Sequence, residues 1–293
     1  MSKRKYIDKN FSNTTIKLIY QANDIIEEYA LEGLNLTLRQ LYYQFVSRDL
    51  LPNKQSEYKR LGNIISNARL AGLIDWHAIE DRTRSRKSNS HWESPGEIVE
   101  TAARSFMLDR WKGQDYRPEV WIEKQALEGV ISSICRELDV PYFACKGYNS
   151  QSNMWQASQR MLVHFNNDQV PVIIHLGDHD PSGIDMTRDI EDRQKLFTGG
   201  IEIKRIALNY DQVEEYDPPP NPAKMTDTRA NDYVAEYGMS SWELDALEPR
   251  VIRNLIKETV ENLIDKDILA DVIAQEKEYI AVLENVVANW ETL

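Results

Sequence analysis

The sequence predicts an α/β protein in which a helical amino-terminal module precedes a Rossmann-like parallel sheet. Apolar residues recur at helical spacing over residues 13–71, and strand-like segments alternate with helical ones over residues 117–208. The length of 293 residues suits two domains, and 42% hydrophobic with 28% charged residues is typical of a globular chain. No apolar run approaches the ~20 residues that span a bilayer. We therefore expect a soluble, cytoplasmic protein without a membrane partner.

Residues 1–90 have the pattern of a winged helix-turn-helix, a fold that places one helix in the DNA major groove. Three helices are predicted, over residues 13–31, 37–50 and 56–71, and residues 73–83 are predicted to form the hairpin of the wing. Arg82, Arg84 and Arg86 lie at the end of this hairpin, where a wing can contact phosphates. They are candidate DNA-binding residues, and their alternative interpretation is a solvated linker.

Charge is distributed unevenly along the chain. Residues 1–90 contain 15 Lys and Arg against 10 Asp and Glu, whereas residues 91–293 contain 20 against 37. A basic module on an acidic body is compatible with nucleic acid bound by one part of the molecule. Cys135 and Cys145 are the two cysteines; they offer neither a disulfide framework nor zinc-ligand spacing.

The body is predicted to begin at residue 117. Residues 91–116 are interpreted as a linker and a connecting helix over 97–112, residues 117–240 as the sheet domain, and residues 241–293 as a helical region. Strands are predicted at residues 118–122, 141–145, 170–176 and 201–208. In such a sheet, ligands bind at the carboxyl ends of the strands.

Three carboxylates lie at those ends. Glu123 ends the first strand, and Asp178 and Asp180 follow the third, where alternate spacing points both Asp side chains the same way. Converging carboxylates repel one another unless a cation is present, and oxygen ligands suit Mg²⁺ or Mn²⁺. These residues therefore predict a divalent metal site for phosphodiester chemistry. Lys124 is either a phosphate ligand or a neutralising charge.

Two motifs resemble the Toprim domain of topoisomerases, primases and nucleases. They are Ile122-Glu123-Lys124 and the segment Gly177-Asp178-His179-Asp180-Pro181-Ser182-Gly183-Ile184-Asp185. The second is most similar to the family of the topoisomerase VI A subunit and the meiotic double-strand-break transesterase. Arg39-Gln40-Leu41-Tyr42-Tyr43 and Trp242-Glu243-Leu244-Asp245-Ala246-Leu247 also fit that family, in its order. The resemblance implies a winged helix followed by a Toprim domain, in a compact, stand-alone version.

In that family a tyrosine attacks DNA and becomes joined to a 5′ phosphate. Leu38, Leu41, Tyr42 and Phe45 form a core stripe, which assigns Tyr42 to packing. Tyr43 lies off that stripe on the face of Arg39, whose guanidinium is expected to favour the phenolate and to bind the scissile phosphate. The family's nucleophile also matches Tyr43, so Tyr43 and Arg39 are the candidate catalytic residues.

The resemblance implies double-stranded DNA as substrate and a homodimer in which the tyrosine of one chain works with the metal of the other. Strand passage would require a separate ATPase subunit. DNA association and a bacterial, plasmid or phage origin fit this interpretation. Two alternatives stay open: a Toprim nuclease that uses water without a covalent intermediate, and an inactive DNA-binding protein. An oxidoreductase is disfavoured because no Gly-x-Gly-x-x-Gly turn follows the first strand.

Overall fold

The structure, a computed structural model, describes residues 3–31, 33–79 and 89–290. Its amino-terminal part contains the three predicted helices: α1 (Asn13–Ala30), α2 (Leu38–Ser47) and α3 (Gln55–Leu70). Helix α2 begins with a capping box, in which Thr37 Oγ1 accepts from Gln40 N and Gln40 Oε1 accepts from Thr37 N. We call α1–α3 and the residues that connect them, up to Ile79, the helical module.

The helical module has its own apolar core. Its members come from the stripes that the helical periodicity predicts, and they include Leu18, Ile19, Ala22, Ile25, Leu41, Phe45, Leu61, Ile65 and Ala68. One buried residue of this core, Ala246, comes from the distant carboxyl-terminal half of the chain. The module is therefore held together by apolar packing and is joined to the rest of the protein through the segment around residue 246.

The predicted wing hairpin has no counterpart in the described part of residues 73–83. Residues up to Ile79 form turns, and Ile79 makes an isolated parallel bridge with Leu36 instead of pairing within a hairpin. Residues 80–83 lie outside the described residues. The three-helix part of the prediction is confirmed, whereas the wing stays a prediction.

A four-stranded parallel sheet forms the centre of the second part, as predicted. Its strands are β1 (Tyr116–Ile122), β2 (Tyr142–Ala144), β3 (Val170–Leu176) and β4 (Glu202–Ala207), in the order β2-β1-β3-β4. Ile122 lies opposite Leu176, so β1 and β3 end level with each other. This register brings the residues that follow both strands to one edge of the sheet.

Helices cover both faces of the sheet. After α4 (Pro95–Ser105) they are α5 (Glu128–Glu137), α6 (Gln151–Phe165), α7 (Pro181–Thr198), α8 (Tyr210–Tyr216), α9 (Ala230–Tyr237), α10 (Pro249–Glu261) and α11 (Lys266–Ala288). Val120 and Ile122 pack with α5 and α10, whereas Trp121 packs with α6 and α7. Successive strand residues thus point to opposite faces, as the pleat requires. We call the sheet with these helices the sheet body.

The connecting helix and the last helix pack against each other. Helix α4 ends at Ser105, seven residues before the predicted end, and the Leu108 amide then donates to Glu276 Oε2 of α11 at 2.7 Å. Most of the described part of the predicted helical region, residues 241–290, is helical, in α10 and α11. Helix α10 also belongs to the core of the sheet body. Among the described residues, no helix has the length and apolar character needed to cross a membrane.

Candidate active site

The ends of β1 and β3 bring two of the predicted carboxylates together. Glu123 directly follows β1 and Asp178 lies two residues beyond β3. The Asp178 amide donates to Glu123 Oε2 at 2.9 Å. The level register of the two strands is the cause, because it places both chain segments at the same height on the sheet edge.

The loop of residues 177–183, the acidic loop, ends in a helix cap. Asp180 is the N-cap of α7, and its Oδ1 accepts from Gly183 N at 2.7 Å and from Ser182 Oγ at 2.9 Å. A Cβ on Gly183 would lie 2.2 Å from the Asp178 carbonyl oxygen, so only glycine fits here. The tight turn therefore fixes the backbone between Asp178 and Asp180.

A backbone pair ties the acidic loop to residues 242–245. The amide of His179 donates to the Trp242 carbonyl at 2.8 Å, and the Trp242 amide donates back at 2.9 Å. The His179 ring is buried among aromatic rings and bonds Tyr233 Oη at 2.8 Å; burial lowers its pKa to about 4. His179 thus anchors the loop through its backbone and its buried ring.

Arg205 of β4 holds the backbone of the acidic loop through hydrogen bonds. This residue was not identified from the sequence. An arginine guanidinium carries five N–H donors in a fixed planar arrangement and can therefore bond several carbonyls at once. Its guanidinium donates to three carbonyls of the loop, those of Gly177 at 3.1 Å, Asp178 at 2.7 Å and Gly183 at 3.0 Å, and also to Thr187 and Leu208. A charged residue inside a predicted buried strand was the available signal.

The electrostatics of Glu123 and Asp178 favour a cation. Burial raises the pKa of Asp178 to about 7, with Lys124 acting in the opposite direction. Burial and the charge of Asp180 raise the pKa of Glu123, although its hydrogen bond from the Asp178 amide lowers it. Such carboxyls are more easily ionised with a positive ion beside them.

The donor chemistry of this group fits Mg²⁺ or Mn²⁺, but its present arrangement is incomplete. Each of the three carboxylates directs one oxygen to a hydrogen bond: Glu123 Oε2, Asp178 Oδ1 and Asp180 Oδ1. Their other oxygens remain as hard ligands of the type that these ions prefer. Within the described ranges, however, no group of three acidic, His or Cys side chains is arranged to hold an ion. Asp178 Oδ1 instead lies 3.0 Å from Lys124 Nζ.

Tyr43 of α2 contacts the sheet body directly. Its side chain is 4% exposed, and its hydroxyl donates to Glu243 Oε2 at 3.1 Å. Burial, followed by the charges of Asp245 and Glu243, raises the pKa of Tyr43 to about 12, although Arg39 lowers it. The expectation that Arg39 shifts Tyr43 towards the phenolate is therefore outweighed in this conformation.

Tyr42 is buried as predicted, but it is more than a packing residue. Its hydroxyl accepts from the Lys54 amide at 2.8 Å and lies 3.1 Å from both the Pro52 and the Lys54 carbonyls. It thereby fixes the start of α3. Both tyrosines belong to the same apolar core. Tyr43 lies off the stripe that contains Tyr42 and is nevertheless buried, with its hydroxyl against Glu243 of the sheet body.

Lys124, Arg39 and two further carboxylates complete the site. Lys124 Nζ lies 3.0 Å from Glu243 Oε2 and 2.8 Å from Asp245 Oδ1. Arg39 pairs with Glu243, and its Nε lies 3.0 Å from Asp245 Oδ2. In the sequence, Glu243 and Asp245 stand out only as part of the motif that resembles the topoisomerase VI A family. Nothing in the sequence predicts that they contact Tyr43 and Arg39, which lie some 200 positions earlier.

The three candidate wing arginines, Arg82, Arg84 and Arg86, lie outside the described residues. Of the other candidates, Arg39, Tyr43 and Lys124 all contact Glu243. Lys124 also contacts Asp178, whose amide donates to Glu123. Asp180 lies further along the loop and caps α7. No family model, no curated protein and no solved structure matches this chain. The resemblance to the topoisomerase VI A family therefore stays a prediction that rests on its motifs.

Proposed function

We propose that this chain is a metal-dependent DNA-cleaving transesterase in which Tyr43 attacks a phosphodiester of double-stranded DNA. The observation that carries the proposal is a continuous set of contacts between the two halves of the site. Tyr43 Oη contacts Glu243, Glu243 contacts Lys124, and Lys124 contacts Asp178, each over 3.0–3.1 Å. A hydroxyl nucleophile thus lies close to two cations and to the acidic edge of a parallel sheet.

The proposed reaction exchanges one phosphoester bond for another. Tyr43 Oη forms a bond to phosphorus as the bond from phosphorus to the DNA 3′ oxygen breaks, which leaves the protein on the 5′ phosphate. The phenol loses one proton and the 3′ oxygen gains one, so no proton is consumed overall. Arg39 and Lys124 neutralise the phosphate charge that develops during the attack.

Glu123, Asp178 and Asp180 would hold the divalent ion. When bound, Mg²⁺ or Mn²⁺ supplies positive charge that stabilises the phosphate and orients it. Arg205 holds the backbone carbonyls of the acidic loop, and Asp180 also holds the first turn of α7. These contacts restrict the loop backbone, so binding of an ion would require the carboxylate side chains to turn, with Asp178 leaving Lys124.

Cleavage of end-labelled duplex DNA tests the proposal. DNA is incubated with the protein and Mg²⁺, denatured, and separated on a gel with and without protease treatment. A slow-migrating, protease-sensitive adduct is the expected product. Tyr42→Phe is the matched control for Tyr43→Phe, because it also removes one phenolic oxygen from α2. Absence of any cleavage by the wild-type protein across Mg²⁺ and Mn²⁺ would contradict the proposal.

A hydrolytic nuclease is the second candidate, and the burial of Tyr43 favours it. The phenol of a residue that is 4% exposed, with a pKa raised to about 12 by burial and by neighbouring carboxylates, is a poor nucleophile as it stands. Water attack would give fragments that migrate freely without protease. It would also leave Tyr43→Phe active, which separates the two candidates in the same gel.

A homodimer that makes paired cuts remains part of the proposal, but the contacts favour a site within one chain. Arg39 and Tyr43 reach Glu243 of their own chain, and Glu243 reaches Lys124 there. We therefore expect that mixing Tyr43→Phe with Asp178→Ala restores no cleavage. Restored cleavage in proven heterodimers would place the tyrosine and the carboxylates in different chains, as the family resemblance implies.

A further inference from the structure

Three donors of different origin converge on a single oxygen atom, Glu243 Oε2. Tyr43 Oη donates to it from 3.1 Å and Lys124 Nζ from 3.0 Å, and Arg39 Nη2 forms an ion pair with it. Tyr43 and Arg39 belong to α2 of the helical module, whereas Lys124 belongs to the sheet body. Burial acts to raise the pKa of Glu243, but Lys124 and Arg39 outweigh it and lower that pKa to about 2.

The donor set matches a phosphate group better than a single carboxylate. A guanidinium, an ammonium and a hydroxyl offer more hydrogen bonds than one carboxylate oxygen accepts in good geometry, whereas a phosphate presents several oxygens to them. Arginine and lysine are the usual side chains that bind phosphate. The Glu243 carboxylate has the sign of charge that such a group has, and it occupies the point where the donors meet.

We propose that Arg39, Tyr43 and Lys124 form a phosphate-binding subsite and that Glu243 fills it as an internal anion when no phosphate is bound. The identification of the ligand as a DNA phosphodiester rests on the proposed function. The subsite itself rests on the donors alone. Binding of phosphate then requires that Glu243 moves away and leaves its three donors to the ligand.

Asp245 explains why the donors would keep their places when Glu243 moves. Its side chain is 2% exposed, and it holds both Arg39 Nε at 3.0 Å and Lys124 Nζ at 2.8 Å. The side chain of Glu243 is 24% exposed. The more buried carboxylate thus anchors the two cations, whereas the more accessible one can exchange with a ligand from solvent.

Space for the exchange exists beside the subsite. A cavity of about 170 Å³ lies against Arg39, Tyr43 and Glu243 and extends to Asn53 and Lys54 at the start of α3. A cavity of this size holds several water molecules. Arg39, Tyr43 and Glu243 line this polar space together, so a phosphate that enters it lies beside two of the three donors and beside the carboxylate that competes for them.

The test is the affinity for phosphate in Glu243→Gln, measured in chelator so that no metal contributes. Fluorescein-labelled duplex DNA is followed by anisotropy, and inorganic phosphate by titration calorimetry. Removal of the competing charge should raise affinity by roughly tenfold or more, the size of one charge-assisted hydrogen bond. Glu284→Gln, an exposed residue on α11, is the control for the loss of one negative charge. Adding Arg39→Gln to Glu243→Gln should remove the gain.

Each outcome decides a different point. Higher affinity of Glu243→Gln for both ligands, or for DNA alone, supports the subsite. Higher affinity for inorganic phosphate alone also supports the subsite but contradicts DNA as its ligand. Unchanged affinity for both in a folded variant overturns the subsite even if the wild-type protein forms the covalent adduct. If Glu243→Gln does not fold by circular dichroism, Glu243→Asp takes its place, because the shorter side chain withdraws the carboxylate from the donors. Unchanged affinity there also overturns the proposal.

Discussion

The helical module and the sheet body contribute to the candidate site in opposite ways. The carboxylates of the sheet body are placed by backbone geometry: level strand ends, the cap of α7 and the bonds from Arg205. Tyr43 and Arg39 of the helical module reach the site through side-chain contacts with Glu243 and Asp245. The acidic half is therefore built into the fold, whereas the position of the nucleophile depends on polar contacts that an anion can replace.

The boundary between the two parts is mostly polar. Besides the Arg39 contacts, Arg250 of α10 pairs with Glu28 of α1 at 2.9 Å, and Asn53 donates to the Pro220 carbonyl at 2.9 Å. Among the residues that the structure describes, Ala246 is the one buried member of the module's apolar core that comes from outside the module. Exposed ion pairs contribute little to stability, and salt weakens them further. The two parts are thus individually well packed and joined by weaker contacts.

The largest expected effect is the loss of cleavage in Asp178→Ala. Its carboxylate is a proposed metal ligand, and removing one electrostatic stabiliser of a transition state typically costs roughly 10²–10³-fold or more in rate. DNA binding should remain, because the cations of the site are untouched. Cleavage on a denaturing gel and binding by anisotropy measure the two effects. Wild-type cleavage in this variant, or in excess chelator, would exclude the proposed metal site.

The second effect concerns the nucleophile in the helical module. Tyr43→Phe should form no covalent adduct while it retains DNA binding. Tyr42→Phe should form the adduct but lose about 1 kcal/mol of stability, because the Lys54 amide loses its acceptor. The protease-sensitive adduct on a denaturing gel measures covalent attack, and thermal unfolding measures the change in stability. An adduct in Tyr43→Phe that is missing in Tyr42→Phe would reverse the assignment.

A third effect appears only at high pH. The pKa of Tyr43 is raised to about 12, chiefly by burial, whereas an unfolded tyrosine has a pKa near ~10. The neutral phenol therefore supports folding fully below pH ~10, and this contribution is lost as the pH rises towards 12. Wild-type protein should lose on the order of 2 kcal/mol relative to Tyr43→Phe over that interval. Parallel pH dependence of the two unfolding free energies would show that Tyr43 is not buried.

The smallest effect is expected at the boundary. Glu28→Gln removes the pairs with Arg250 and Arg48, and it should cost less than about 1 kcal/mol, with a smaller effect at high salt. Phe45→Ala, in the core of the helical module, should cost about 3–5 kcal/mol. Urea unfolding of the two variants and the wild-type protein measures both losses of stability. Equal costs would show that the boundary is as strong as the core.

Periodicity in the sequence was sufficient for most of the fold. Helices α1, α2 and α3 and the four parallel strands follow from local apolar patterns, because an element must bury its apolar side wherever it packs. The same local patterns did not predict the burial of Tyr43. The stripe through Leu41 and Phe45 shows which face of α2 is apolar, but it does not show that another part of the chain covers the opposite face.

The sequence by itself determined the sheet, the three-helix module and the placement of Glu123, Asp178 and Asp180 at strand ends, since each depends on residues close together in the chain. Only the tertiary structure decided what these groups contact. Asp178 faces Lys124, Arg205 lies beneath the acidic loop, and Tyr43 meets Glu243 from 200 positions away. Such contacts depend on how distant segments pack and which charges they bring together, and local patterns carry no information about either.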